Sequence, residues 1–132
     1  MLFRSGDVKC VVRNGGPISD RKSINLPGIQ VDLPAMTPKD LEDIRFAIEQ
    51  EFDFIAVSFV RRASDIRHVR TELEKHGGDY IKLIAKIENQ EGVDHFEAIL
   101  DNSDGVMVAR GDLGVEIPAQ QVPVIQKKLI RA

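Results

Sequence analysis

Three charged side chains carry the chemistry that can be read from this chain. Lys86 and Glu88 lie two positions apart in Ile81-Lys82-Leu83-Ile84-Ala85-Lys86-Ile87-Glu88, and Asp112 lies in Arg110-Gly111-Asp112-Leu113-Gly114. In an extended segment alternate side chains leave opposite faces, so Lys86 and Glu88 share one face while Ile81, Leu83, Ala85 and Ile87 share the other. A lysine and a carboxylate there, with a second carboxylate ending the next strand, bring a cation and oxygen ligands toward one pocket. Magnesium suits such oxygens, because it takes one or two carboxylates and completes its octahedron with water and substrate oxygens. Lys86 would then face a substrate phosphate or carbonyl and neutralise charge that develops during reaction. A buried lysine–glutamate ion pair with no substrate is the competing reading of the same spacing.

Other residues stand near these three in the expected layout. Gly111 and Asp112 lie where a strand gives way to a helix, and free backbone N–H groups at such a turn favour an anion; an ordinary solvated turn is the alternative. Ser58 closes the preceding apolar run, so its hydroxyl either faces the same pocket or only opens the next helix. Arg110 sits beside the glycine turn, and Arg61 and Arg62 follow Ser58. His68, His76 and His95 fall on expected helices and read as surface residues. No serine or cysteine is paired with a base, so acyl transfer has no support.

The elements that must position these residues follow from hydrophobic period and punctuation. Thr37-Pro38-Lys39-Asp40 places a capping hydroxyl, a proline at the first helical position and an acid three residues on, so a helix begins at Thr37 with Leu41, Ile44 and Ile48 on its apolar stripe. Phe52 to Phe59 is nearly continuous in apolar residues, the pattern of a strand buried on both faces. A second helix is expected over Ser64–Lys75, with Gly77-Gly78 as its stop. The strand Ile81–Glu88, a short helix over Gly92–Leu100 and the strand Gly105–Ala109 come next. In the terminal helix Val122, Ile125 and Leu129 recur at helical spacing, with Pro123 in its first turn or kinking it. Helices alternating with strands in units of roughly 25 to 30 residues argue for an α/β fold with parallel strands. Only about three core strands are present, whereas the closed form of this architecture has about eight. Residues 1–28 differ in texture: Val8–Arg13 is a short β-like run, Asn14-Gly15-Gly16-Pro17 a turn, and a boundary near Gly28 to Gln30 is expected.

Composition excludes several classes. With 42% hydrophobic and 30% charged residues in 132, the chain has the make-up of a soluble domain. A net charge of -3 gives no general support for nucleic-acid binding. Cys10 alone cannot form an internal disulfide, and no Cys/His ligand spacing occurs. No apolar run reaches the roughly 18 residues of a membrane span and no secretory signal opens the chain, so a cytoplasmic protein is expected.

Lys86-Ile87-Glu88-Asn89-Gln90-Glu91-Gly92, the run from Met107 to Pro118 (MVARGDLGVEIP), and Ile24-Asn25-Leu26-Pro27-Gly28 together resemble the pyruvate kinase family; Ser58-Phe59-Val60-Arg61 and Val31-Asp32-Leu33-Pro34-Ala35 add to the match in the right order. The resemblance covers essentially the whole chain. It implies a large enzyme on an eight-stranded (β/α)8 TIM barrel, with a β lid domain inserted after the third strand and a C-terminal regulatory domain. On this likeness residues 1–28 are the C-terminal remnant of the lid and residues 29–132 a partial barrel, with Met1 expected to be a gene-model start rather than the native one. By the same resemblance Lys86 is the catalytic lysine that contacts the transferring phosphoryl group, Glu88 and Asp112 hold the divalent metal, and the N–H groups of Gly111 and Asp112 hold the substrate carboxylate. Ser58 falls near a monovalent-cation site and Arg110 matches a structural arginine beside the pocket. The implied cofactors are Mg2+ (or Mn2+) and K+, the substrates phosphoenolpyruvate and ADP/ATP, and the assembly a homo-oligomer. The family's early-strand potassium and phosphate residues, a substrate-contacting threonine and most of the lid have no counterpart here, so the isolated chain is expected to be inactive. A metal-dependent lyase or aldolase acting on pyruvate, and a non-catalytic self-associating piece, are the alternatives.

Overall fold

The computed structural model describes residues 3–4, 7–22, 24, 26–27, 34 and 36–132. The boundary expected at Gly28 to Gln30 and most of the run from Val31 to Ala35 lie outside them. Two short strands, β1 (Phe3–Arg4) and β2 (Asp7–Val8), pair antiparallel with Phe3 opposite Val8. The β-like run expected over Val8–Arg13 is therefore strand only at its first residue. Val11 and Val12 are exposed and meet no apolar layer, so they lack the packing that holds a strand in place.

The remaining chain alternates helices and parallel strands. It runs α1 (Pro38–Glu49), β3 (Phe54–Val57), α2 (Ala63–Lys75), β4 (Lys82–Ile87), α3 (Gln90–Asp94), α4 (Phe96–Leu100), β5 (Gly105–Val108), α5 (Arg110–Glu116) and α6 (Val122–Arg131), with a 3-10 turn at Ala119–Gln121 before α6. Thr37 caps α1 as expected: its backbone N–H donates to Asp40 Oδ2 at 2.7 Å, and its Oγ1 accepts from the Asp40 N–H at 3.3 Å. A Schellman motif closes α2, with Gly77 at φ +76° and the Gly78 N–H donating to the Leu73 carbonyl at 2.8 Å. Pro123 sits in the first turn of α6, where its missing N–H costs no helix bond.

The three-stranded sheet has the order β3-β4-β5, parallel throughout. Leu83, Ala85 and Ile87 of β4 are fully buried and pack with Ile66 and Leu73 of α2, Ile99 of α4 and Leu129 of α6 into the main core. Among the described residues no helix covers the opposite face. Phe54 pairs with Lys82 in register and Met107 with Lys86, so all four side chains share that face, and Phe54 is 62% exposed. This corrects the expectation of a β3 strand buried on both sides. Its residues alternate between exposed and half-buried, because only one face meets a helical layer and β3 stands at the sheet edge. A second correction concerns the helix expected over Gly92–Leu100, which starts earlier, at Gln90, and is divided at His95.

Asp104, in the turn before β5, ties the sheet to α2. Its carboxylate accepts from Arg70 at 2.8 Å and from the Leu83 N–H at 2.9 Å, with Lys82 at 3.6 Å. The Arg70 guanidinium, followed by the Leu83 N–H, holds the Asp104 carboxyl below the usual carboxylate range. A depressed folded-state value means stabilisation that is present above the unfolded carboxyl pKa and lost as pH falls through the folded one. We expect Asp104→Asn to lower stability at pH 7 by about 1–2 kcal/mol. The deficit against the parent should shrink as urea unfolding is repeated below pH 4, and a pH-independent deficit would show that the charge does not contribute.

Candidate active site

The strand register brings Lys86, Glu88 and Ser58 together. Val57 pairs with Ala85, so the next residue, Ser58, falls across from Lys86 on the same face of the sheet. Lys86 Nζ donates to Ser58 Oγ at 3.0 Å and lies 2.7 Å from Glu88 Oε1. Glu88 follows the last residue of β4 and its second oxygen, Oε2, accepts from the Phe59 N–H at 2.7 Å. The glutamate is 2% exposed, while the lysine side chain retains 25%.

Burying a carboxylate costs several kcal/mol unless opposite charge and hydrogen bonds compensate it, and here one oxygen has an ammonium and the other an amide. Phe59 donates that amide from a left-handed backbone, φ +54°. A bulky residue in that region costs about 1 kcal/mol or more, so the contact to Glu88 is made against local strain.

Arg110, Gly111 and Asp112 stand at the same end of the sheet. The Ala109 N–H donates to the Ile87 carbonyl at 3.1 Å, so the chain enters α5 next to Glu88. The expected turn is already helix from Arg110. The first intrahelical bond runs from the Leu113 N–H to the Ala109 carbonyl, leaving the N–H groups of Arg110, Gly111 and Asp112 without an intrahelical acceptor. A Cβ placed on Gly111 would meet nothing within 4 Å, so space is open there. Asp112 is exposed, and no hydrogen bond or ion pair joins it to Lys86 or Glu88. Among the described residues no group of three or more His, Cys, Asp or Glu side chains is placed to hold a metal. No helix of the described residues is long and apolar enough to cross a membrane.

Two neighbours of the site were not singled out from the sequence. Asn89 caps α3, its Oδ1 accepting from the Gly92 N–H at 2.7 Å while its Nδ2 donates to the Val60 carbonyl at 3.3 Å. An asparagine three residues before Gly92 is a helix-start signal and marks this position. Phe59 carries no such signal, because its contribution is a backbone N–H. His68, His76 and His95 are all exposed, as expected, and His95 adds one contact: its Nδ1 lies 3.1 Å from the Arg61 carbonyl, which only accepts, so this nitrogen donates.

Parallel strands in sequence order, each followed by a helix, with polar residues gathered at their C-terminal ends, define an α/β fold of the β/α-barrel class. The pyruvate kinase barrel-domain profile matches residues 3–132, and the chain belongs to the pyruvate kinase family. A pyruvate kinase of Bacillus licheniformis is 58% identical over 120 residues, covering 91% of this chain and 20% of that protein. One of Geobacillus stearothermophilus is 55% identical over 128 residues, covering 97% and 22%. For Clostridium perfringens the identity is 52%, covering 97% and 27%. The chain thus spans about a fifth to a quarter of the length of these relatives.

Removing the lysine would leave Glu88 buried without its counter-charge. We expect Lys86→Met to destabilise the fold by roughly 2–3 kcal/mol, and the double variant Lys86→Met/Glu88→Gln to recover most of that loss. Urea unfolding of the wild type, both single variants and the double variant measures the coupling. Additive effects would mean that the pair does not hold the site together.

Proposed function

We propose that this chain contributes part of the active site of a pyruvate kinase, in which the phosphoryl group of phosphoenolpyruvate passes to ADP, giving pyruvate and ATP. The observation that carries this reading is the contact of Lys86 with both Glu88 and Ser58 at the ends of adjacent parallel strands. In the transfer the bond from phosphorus to the enol oxygen breaks, a bond to the terminal phosphate oxygen of ADP forms, and the enolate carbon takes a proton. Such a reaction asks the protein for positioning and charge compensation more than for covalent participation. The Lys86 ammonium would lie against the transferring group and the enolate oxygen. The N–H groups of Gly111 and Asp112 would donate to the substrate carboxylate.

The donor chemistry fits a divalent ion in part. Glu88 Oε2 accepts one hydrogen bond and Oε1 faces the Lys86 ammonium, so lone pairs remain for a cation, and Asp112 is exposed at the same strand ends. Glu88 and Asp112 would hold magnesium or manganese, and Ser58 would lie near potassium; bound there, these ions would supply further neutralisation of phosphate charge. Arg110 is assigned a structural part beside the pocket.

A coupled assay for pyruvate release tests the proposal at two levels. The 132-residue chain alone should show no turnover. In a longer chain carrying these residues, Lys86→Met should lower kcat by about 100-fold or more while manganese affinity is largely kept. Equal loss of both would assign the lysine to metal binding instead, and cleavage of a carbon–carbon bond in place of phosphoryl transfer would favour a lyase.

The uncovered sheet face supports a second reading for the chain on its own, association with further copies. Phe54 is 62% and Met107 46% exposed, and the β3 and β5 edges of this sheet have no neighbouring strand among the described residues. Light scattering at micromolar concentration should report species larger than a monomer. A compact monomer would overturn this reading.

A further inference from the structure

Five consecutive residues after β3 are each tied to the segment from Lys86 to His95. Ser58 Oγ accepts from Lys86 at 3.0 Å, the Phe59 N–H donates to Glu88 at 2.7 Å, and the Val60 carbonyl accepts from Asn89 at 3.3 Å. The Arg61 carbonyl accepts from His95 at 3.1 Å, and Arg62 Nε donates to Glu91 Oε1 at 2.6 Å. Gly92 belongs to the same fit, since a Cβ there would stand 2.7 Å from the Val60 carbonyl oxygen.

We propose that Asn89 is a positioning residue for the active site, holding the loop 58–62 so that the Phe59 N–H stays aimed at Glu88. The Ser58–Phe59 peptide is fixed at its N–H by Glu88, and the Val60–Arg61 peptide is fixed at its carbonyl by Asn89. Between these two planes lie the left-handed backbone of Phe59, the Phe59–Val60 peptide and Val60. With both planes held, rotation of Phe59 toward negative φ is opposed; with the second released, rotation relieves the strain and turns the N–H away from the carboxylate. The amide of Asn89 divides its work between its two ends. The oxygen caps α3 through Gly92, and the nitrogen holds the loop. Glu88, losing its amide partner, would then shift toward Lys86 and change the face it presents to the pocket. This inference rests on the proposed part of Glu88 in the site only for its functional consequence; its structural claim stands by itself.

The two ends of Asn89 are separable by substitution. Asn89→Asp keeps an acceptor for the Gly92 N–H and removes the donor to Val60, and Asn89→Ser keeps one polar atom for the Gly92 N–H and removes the second polar branch, without adding charge. In the full 132-residue chain, amide hydrogen exchange and the carboxyl carbon signal of Glu88 are followed by NMR. Both variants should speed exchange at Phe59 by about tenfold or more and move the Glu88 signal, while the Gly92 and Ala85 amides keep their protection. Unchanged Phe59 exchange and an unmoved Glu88 signal in both variants would overturn the proposal. So would a general loss of protection that includes Gly92 and Ala85, since that is the result of a purely structural cap. Glu88→Gln, measured for manganese affinity beside wild type, tests the metal reading separately: no change there sinks that reading and leaves the Phe59 result standing.

Discussion

The burial of one carboxylate constrains the whole C-terminal end of the sheet. Glu88 is 2% exposed at the end of the central strand, where solvation is nearly gone and a carboxylate needs partners from the protein. Those partners come from two directions. Lys86 reaches it from the same face of β4, as two-residue alternation requires, and Phe59 reaches it from the loop leaving β3. The parallel register makes both contacts possible, since the rung Val57–Ala85 carries Ser58 and Phe59 past the strand end toward Glu88. A slip of one residue would send Lys86 and Glu88 into the helical layer and Leu83, Ala85 and Ile87 out of it.

That register is in turn held by packing on the other face. Leu83, Ala85 and Ile87 are fully buried against α2, α4 and α6, so the apolar side of β4 fixes which way its polar side points. Asp104 secures the opposite end of the same strand through the Leu83 N–H and Arg70. The central strand is thus tied at both ends by buried or half-buried carboxylates, one joined to a helix and one to a loop. The uncovered face, with Phe54 and Met107, carries apolar residues suited to a further layer, which accords with membership of a barrel family.

Much of this was legible in the residues. Alternation predicted the two faces of β4, the Thr37–Asp40 capping pair predicted the start of α1, and Gly77-Gly78 predicted the end of α2, because each signal acts over a few residues. The exposure of β3 was not legible. A continuous apolar run such as Phe52–Phe59 records the burial its residues are suited to, and whether a second layer is present depends on segments far from it in sequence. The start of α3 was missed for a different reason: the apolar period begins at Val93, but the cap that sets the helix is Asn89, whose side chain also serves the loop. Lys86 and Glu88 were found because both lie on one strand and their distance follows from pleat geometry. Asp112 comes from another element, and its relation to Glu88 depends on how α5 leaves β5, which no local pattern encodes. The family resemblance linked the two, whereas the structure places them at one end of the sheet with no hydrogen bond joining them.

The lysine's contacts leave room for a part in both structure and chemistry. Among the described residues its ammonium donates to Ser58 Oγ and pairs with Glu88 Oε1, on a side chain that keeps 25% of its surface. In the proposed reaction a substrate oxygen arriving from the open face of the sheet would be met without dismantling the pair at the buried Glu88. Ser58 contributes by direction: a hydroxyl on the neighbouring strand holds the ammonium at the level of the strand ends and stops it from folding over the carboxylate. A lysine paired with Glu88 alone would be free to pivot about a single contact. Two contacts, one from its own strand and one from the neighbouring strand's end, set its position before any ligand arrives, and that prior ordering is what charge compensation in the proposed phosphoryl transfer would require.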